Sequence, residues 1–231
     1  MPTRFFFWPP APELEIPPAY VGVMVQKLSA TRWHVGVLYR TSQSAATILH
    51  LMGHYDLRRD PPSDGHFCIL SPIEPARVLA LATTFNRLYR AHKDRGSGIP
   101  YGFTPPTFDF FSQVQQLVPG QGLCCQTFVQ KAYQTAGIEL LEPLEAPQRE
   151  DDVARQNGLL DEWNQQIQDS QNPQTVPHFQ AVRNSVGTPL YRPLEVGGAA
   201  LADNLPCNFE MTFELAKKVS DEIEKFTATQ I

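Results

Sequence analysis

The residues of this chain best suited to chemistry are one cysteine and two histidines. Cys125 lies in Gly122-Leu123-Cys124-Cys125-Gln126-Thr127-Phe128-Val129-Gln130-Lys131-Ala132-Tyr133. Phe128, Val129, Ala132, Tyr133 and Ala136 recur at helical spacing, and Cys125 precedes the first two by three and four residues. The spacing predicts a helix over 124–136, ended by Gly137 in the left-handed position. Its first turn then carries a thiol beside unpaired N–H groups and the positive dipole end. Both favour the thiolate, which is the nucleophile, and the same amides can hold an acyl oxyanion. The alternative is a small cysteine packed in the core.

A histidine strand lies about 90 residues upstream. In Trp33-His34-Val35-Gly36-Val37-Leu38-Tyr39 the odd positions share one face, and His34, Gly36 and Leu38 share the other. Glycine beside His34 leaves room for a packed helix, so imidazole could reach the Cys125 sulfur as general base and then acid. The alternative is a strand histidine satisfied by a loop carbonyl, with the glycine marking a bulge. His50, on the next strand, can orient His34 as a third member, or else sit at an exposed edge.

These groups need a scaffold. Strand character runs over 19–27, 32–40, 46–52 and 66–70, which predicts a small antiparallel meander. Residues 58–65 read as a charged loop. Helical periodicity marks 75–92, through Val78, Leu81, Ala82, Phe85, Leu88 and Tyr89. A short helix is expected at 109–117, one at about 150–168 buried through Leu159, Leu160 and Trp163, and a last one at 208–227 capped by Asn208. Residues 1–18 read as an aromatic, Pro-rich arm on the surface. The rest of 142–205 is polar and reads as loop. The division is an arm (1–18), a core (19–140) and a polar extension (141–231) ending in an amphipathic helix.

Composition narrows the function. The chain has 231 residues, a net charge of −5, 42 % hydrophobic residues and 21 prolines. With no basic run, a nucleic-acid surface is not expected. Prolines 9 and 10 interrupt the opening aromatic burst before a signal-peptide core forms. No apolar run approaches the ~20 residues that span a bilayer. The expectation is a cytoplasmic protein, or one exported without a classical signal peptide, and no integral membrane segment. Cys68, Cys124, Cys125 and Cys207 show neither metal-ligand spacing nor a dense disulfide framework.

The motifs together resemble a known superfamily. His34-Val35-Gly36-Val37-Leu38-Tyr39 is similar to the His-Val-Gly-Ile-Tyr strand of NlpC-type cell-wall endopeptidases. Cys125-Gln126-Thr127-Phe128-Val129 is similar to their Cys-Ser-x-Phe-Val helix start. Ile48-Leu49-His50-Leu51 resembles their following strand. The order here is His, His, Cys, as in the circularly permuted branch that includes the lecithin:retinol acyltransferase-like enzymes. The likeness covers roughly residues 20–140. It implies an α+β, papain-like permuted fold, with an antiparallel sheet packed against the helix that carries the nucleophile. It implies Cys125 as nucleophile, His34 as base and His50 as orienting residue, with no cofactor and no metal.

The activity it implies is amide hydrolysis through a thioester, on a peptide or peptidoglycan stem. An injected bacterial effector with an inhibitory or immunity partner protein fits that reading. Acyl transfer or lipid and thioester hydrolysis at the same site is the alternative, and a non-catalytic papain-like binding module is another. The sequence departs from the pattern where Cys124-Cys125-Gln126 replaces the usual aromatic-or-Asp, Cys, Ser. Cys124 therefore stays a rival nucleophile. Tyr101 is the candidate for a second oxyanion donor; Gln121 lies too near Cys125 in sequence for that role.

Overall fold

The computed structural model describes residues 4–11, 14–93, 98–105, 118–142, 146–168 and 175–229, the side chains of 165–168 excepted. The helix expected at 109–117 lies outside them. The architecture is α+β, with one six-stranded antiparallel sheet and six helices among the described residues. The strands are β1 (Phe5–Phe7), β2 (Tyr20–Lys27), β3 (Trp33–Arg40), β4 (Thr47–Gly53), β5 (Asp56–Asp60) and β6 (Phe67–Leu70), in spatial order β1-β6-β2-β3-β4-β5. The helices are α1 (Pro75–Lys93), α2 (Cys125–Thr135), α3 (Asp152–Gln168), α4 (Thr175–Asn184), α5 (Pro193–Leu201) and α6 (Phe209–Thr229).

Strand alternation sorts the sheet into two faces. Val21, Val23, Val25, Val35, Val37, Tyr39, Leu49, Phe67 and Ile69 bury one face with α1, α2 and α5. Met24, Leu38, Ile48, Cys68 and Leu70 form the other, under Trp8, Leu14 and Ile16. The N-terminal arm is therefore structural rather than a loose surface segment. Phe5–Phe7 adds an edge strand to β6. Arg4 donates to Asp203 Oδ1 at 2.7 Å and to the carbonyls of Ala200, Ala202 and Leu70.

Two further expectations are corrected. The charged loop at 58–65 begins as β5, paired with β4 in the register Ile48↔Asp60 and His50↔Arg58. A hairpin through His54 and Tyr55, with Tyr55 at φ 60°, follows Gly53 but has neither Gly nor Asn at its two central positions. The polar region 142–205 contains α4 and α5. The sequence of α5, Pro-Leu-Glu-Val-Gly-Gly-Ala-Ala-Leu, is apolar apart from Glu195, so it becomes core.

The paired glycines of α5 set its contacts. A Cβ on Gly197 would stand 2.7 Å from Val25 Cγ2 of the sheet. One on Gly198 would stand 2.6 Å from the Ala216 backbone N in α6. Neither helix backbone can yield without moving the other. Gly198→Ala is therefore expected to destabilise the fold by about 1–3 kcal/mol, as overpacking does, read as a lower urea midpoint. An unchanged midpoint would show that α6 is not seated on this glycine.

Candidate active site

Cys124 and Cys125 open α2 but face different surroundings. Cys124 is the extended N-cap residue, fully buried, and packs with Tyr101, Phe103, Leu160 and Trp163. Its N–H donates to Thr127 Oγ1 at 2.9 Å, and its sulfur lies 3.3 Å from the same oxygen. That is capping chemistry with sulfur in place of the usual oxygen. Cys125 is partly exposed and lines a cavity of about 910 Å³. Its thiol donates to Gln126 Oε1 at 3.2 Å, and the backbone amides of Val35 and Gln126 favour its thiolate.

Pairing between β3 and β4 runs from Tyr39↔Thr47 only as far as Val37↔Leu49. The hydrogen-bonded ladder ends there, and α2 packs against both strands.

The structure brings His34 and His50 together. His34 Nε2 is 2.9 Å from His50 Nδ1, and His50 Nε2 is 3.0 Å from Asp60 Oδ2. This chain fixes the tautomers. The Asp60 carboxylate only accepts, so His50 carries its proton on Nε2. His50 Nδ1 must then accept, so His34 carries its proton on Nε2. His34 Nδ1 is left with its lone pair, which is the form a base requires.

The structure does not bond His34 to Cys125. The thiol's side-chain partner is Gln126. His34 and Gly36 leave β3 on the face opposite Val35, whose backbone amide acts on the sulfur. The space that Gly36 provides is used by β4 rather than by α2: a Cβ there would stand 2.8 Å from His50 Cβ and 2.9 Å from Ile48 Cγ2. Glycine thus seats His50 against β3, which is what puts the two rings in contact.

Burial dominates the protonation states. It pushes the Cys125 thiol up to about 12, reinforced by Cys124 and opposed by the Val35 and Gln126 amides and Arg155. It brings His34 down to about 3, with further lowering from His50, His66 and Arg32. Burial thus opposes the thiolate that the helix start favours. Desolvation outweighs the helix end, and the resting pair is thiol and neutral imidazole.

Tyr101 lines the cavity beside Cys125. Its backbone is clamped by two histidines: the Tyr101 N–H donates to His54 Nδ1 at 3.2 Å, and His178 Nε2 donates to its carbonyl at 2.8 Å. His178 Nδ1 in turn accepts the Gly120 N–H at 3.2 Å. The phenol lies close enough to both cysteines for their charge to raise its pKa beyond the effect of burial. The remaining walls come from Arg32 and Trp33, from α3, from the start of α5 and from α6. The C-terminal extension therefore completes the cavity.

Asp60 and the extension's cavity residues are what sequence reasoning missed. The signal for Asp60 was the hairpin: once His50 pairs with Arg58, Asp60 is the diagonal neighbour on the same face. No helix among the described residues is long and apolar enough to cross a membrane. Nor do the described residues hold three or more His, Cys, Asp or Glu side chains grouped to bind a metal ion. Comparison with known protein families, with characterised proteins and with solved structures finds no match to this chain.

Proposed function

We propose that this chain is a cysteine-dependent hydrolase of papain-like permuted topology that cleaves an amide bond through a thioester. The observation that carries the reading is the His34–His50–Asp60 chain. It leaves a neutral imidazole with a free Nδ1 on the strand whose Val35 amide acts on the cavity-lining thiol. In this reading the Cys125 thiol turns from Gln126 Oε1 toward His34. His34 Nδ1 takes the thiol proton as sulfur attacks the carbonyl carbon. The Val35 and Gln126 amides, with the Tyr101 hydroxyl, accommodate the oxyanion. His34 returns the proton to the leaving amine, and water then releases the acid with His34 again as base.

A second reading has its own support. A thiol pushed up to about 12 and held by Gln126 is what a non-catalytic binding module would carry. Alkylation separates the two. Iodoacetamide at pH 7.5 is expected to label Cys125 and spare Cys124, and a fluorogenic peptide amide is expected to turn over. A Cys125 that stays unlabelled, with no amine released, returns the chain to the binding-module reading. Release of fatty acid from phospholipid vesicles without amide cleavage would instead favour the acyltransferase-like alternative.

A further inference from the structure

Two packed imidazoles, His54 and His178, take no part in the proposed reaction. Their ring centroids stand 4.8 Å apart, and both hold the backbone that leads into the site. That backbone consists of two segments locked to each other. The Leu123 N–H donates to the Pro100 carbonyl at 2.9 Å, and the Gly122 N–H to the Thr104 carbonyl at 2.9 Å. A Cβ on Gly122 would stand 2.4 Å from the Tyr101 carbonyl carbon. The close approach couples Tyr101 to the residues immediately before Cys124 and α2.

The histidines fix this unit from two sides. The β4–β5 hairpin grips it through the Tyr55 N–H, which donates to the Ile99 carbonyl at 2.9 Å, and through His54 Nδ1, which accepts the Tyr101 N–H at 3.2 Å. From α4, the buried His178 bridges both segments: Nδ1 accepts the Gly120 N–H at 3.2 Å, and Nε2 donates to the Tyr101 carbonyl at 2.8 Å. Each ring thus accepts a backbone N–H through Nδ1, which only an unprotonated Nδ1 can do. The single proton of His54 then sits on Nε2, which is buried and has no partner among the described residues.

A second proton on either ring turns the acceptor into a donor, N–H against N–H, and two cationic rings at this separation repel. The titratable groups facing the rings are each other, Tyr55 from the hairpin and Tyr101 from its segment; α3 presents Trp163. No carboxylate among the described residues contributes to the titration of either ring, so nothing there compensates an added charge. Burial holds both rings below the ordinary imidazole range, His54 at about 4 with His178 adding to the effect.

We infer that His54 and His178 are positioning residues that hold Tyr101 and the approach to Cys125 in place only while both rings are neutral, so that acid releases this part of the site before it unfolds the protein. The functional consequence rests on the hydrolase reading, in which Tyr101 is an oxyanion donor, and deepens it by naming its regulation. The sign follows from linkage. The released rings bind protons at the ordinary value of about 6.5 and the clamped rings refuse them, so the clamp weakens as pH falls below that value.

Amide hydrogen exchange, expressed as protection factors, reads the clamp without turnover. The Tyr101 and Gly120 amides are expected to exchange through a local opening, about tenfold or more less protected than Val23, which is paired on both sides in the sheet. Their protection should fall about tenfold between pH 6.5 and pH 5 for the protonation of His54 alone. Exchange that matches Val23 at every pH, or a local opening with equal protection at both pH values, overturns the inference. His54→Asn places an oxygen near Nδ1, an acceptor that binds no proton. Tyr101 should then keep about tenfold more of its protection at pH 5 than in the unaltered protein, whereas a merely structural histidine would give equal slopes. If this variant does not fold, the exchange of the unaltered protein decides alone. Turnover of the fluorogenic amide separates the two levels. An acid-sensitive local opening without turnover keeps the clamp and removes the hydrolase; turnover without local opening keeps the hydrolase and removes the clamp.

Discussion

Cys125→Ala is expected to lower amide hydrolysis by about 10⁴-fold or more, while Cys124→Ala keeps most of the activity. The first figure follows from the loss of a covalent nucleophile, where only binding and oxyanion contacts remain. The second follows from position. Cys124 has no surface on the cavity, and its sulfur is occupied by Thr127 at 3.3 Å. Removing it deletes a cap and leaves a small void, a loss of about 1–2 kcal/mol in stability. The two variants thus differ in kind. One keeps its urea midpoint and loses turnover; the other keeps turnover and loses part of its midpoint. Matching kinetic losses in both, with matching stabilities, would assign the chemistry to the wrong sulfur. Mass mapping of the iodoacetamide adduct gives an independent answer, because burial alone should protect Cys124.

The elements were legible in the sequence wherever one periodicity dominated. Val78, Leu81, Ala82, Phe85 and Leu88 gave α1 within one residue of its observed end. Asn208 caps α6, accepting the Met211 N–H at 2.9 Å, and Ala216, Val219 and Ile223 are its buried points. Leu160 and Trp163 bury α3 as their spacing requires. The pairing of His34 with His50 was also readable, because adjacent antiparallel strands place equal-parity residues on one face. Three things were hidden. Strand β5 is charged on its exposed side and follows a turn with no glycine at its two central positions, so it resembled loop. Helix α5 is too short and too uniformly apolar to show a helical stripe. The relation of Gly36 to His50 depends on how closely β4 crosses β3, which no pattern of residue types encodes. The electrostatics of the site depend on packing in the same way. A helix start favours a thiolate, but the depth of the sulfur is a property of the packed cavity, and desolvation is the larger effect there.

Burial of the imidazoles predicts a steep acid limb in stability. His34 is brought down to about 3 and His54 to about 4, and His50, His66 and His178 are lowered as well, each with desolvation as the first cause. Their folded values lie below the unfolded value of about 6.5. Between the two values the unfolded chain binds protons that the folded chain refuses, so stability rises with pH across that window and falls as the solution is acidified. His34 alone contributes a slope of up to about 1.4 kcal/mol per pH unit from pH 6.5 down toward pH 3, and the others add to it over their own windows. Cys125 and Cys68, both pushed up to about 12, act in the opposite direction. The unfolded thiols ionise first, so their contribution is lost as pH climbs above about 9. Urea midpoints are therefore expected to be highest between about pH 6.5 and 9 and to fall clearly by pH 5. His34→Gln should flatten the acid limb even if it weakens the fold at pH 7.5, since glutamine has no proton to refuse. A midpoint unchanged from pH 7.5 to pH 5 would show that these rings accept protons in the folded protein. It would also remove the neutral imidazole on which the proposed proton transfer from Cys125 depends.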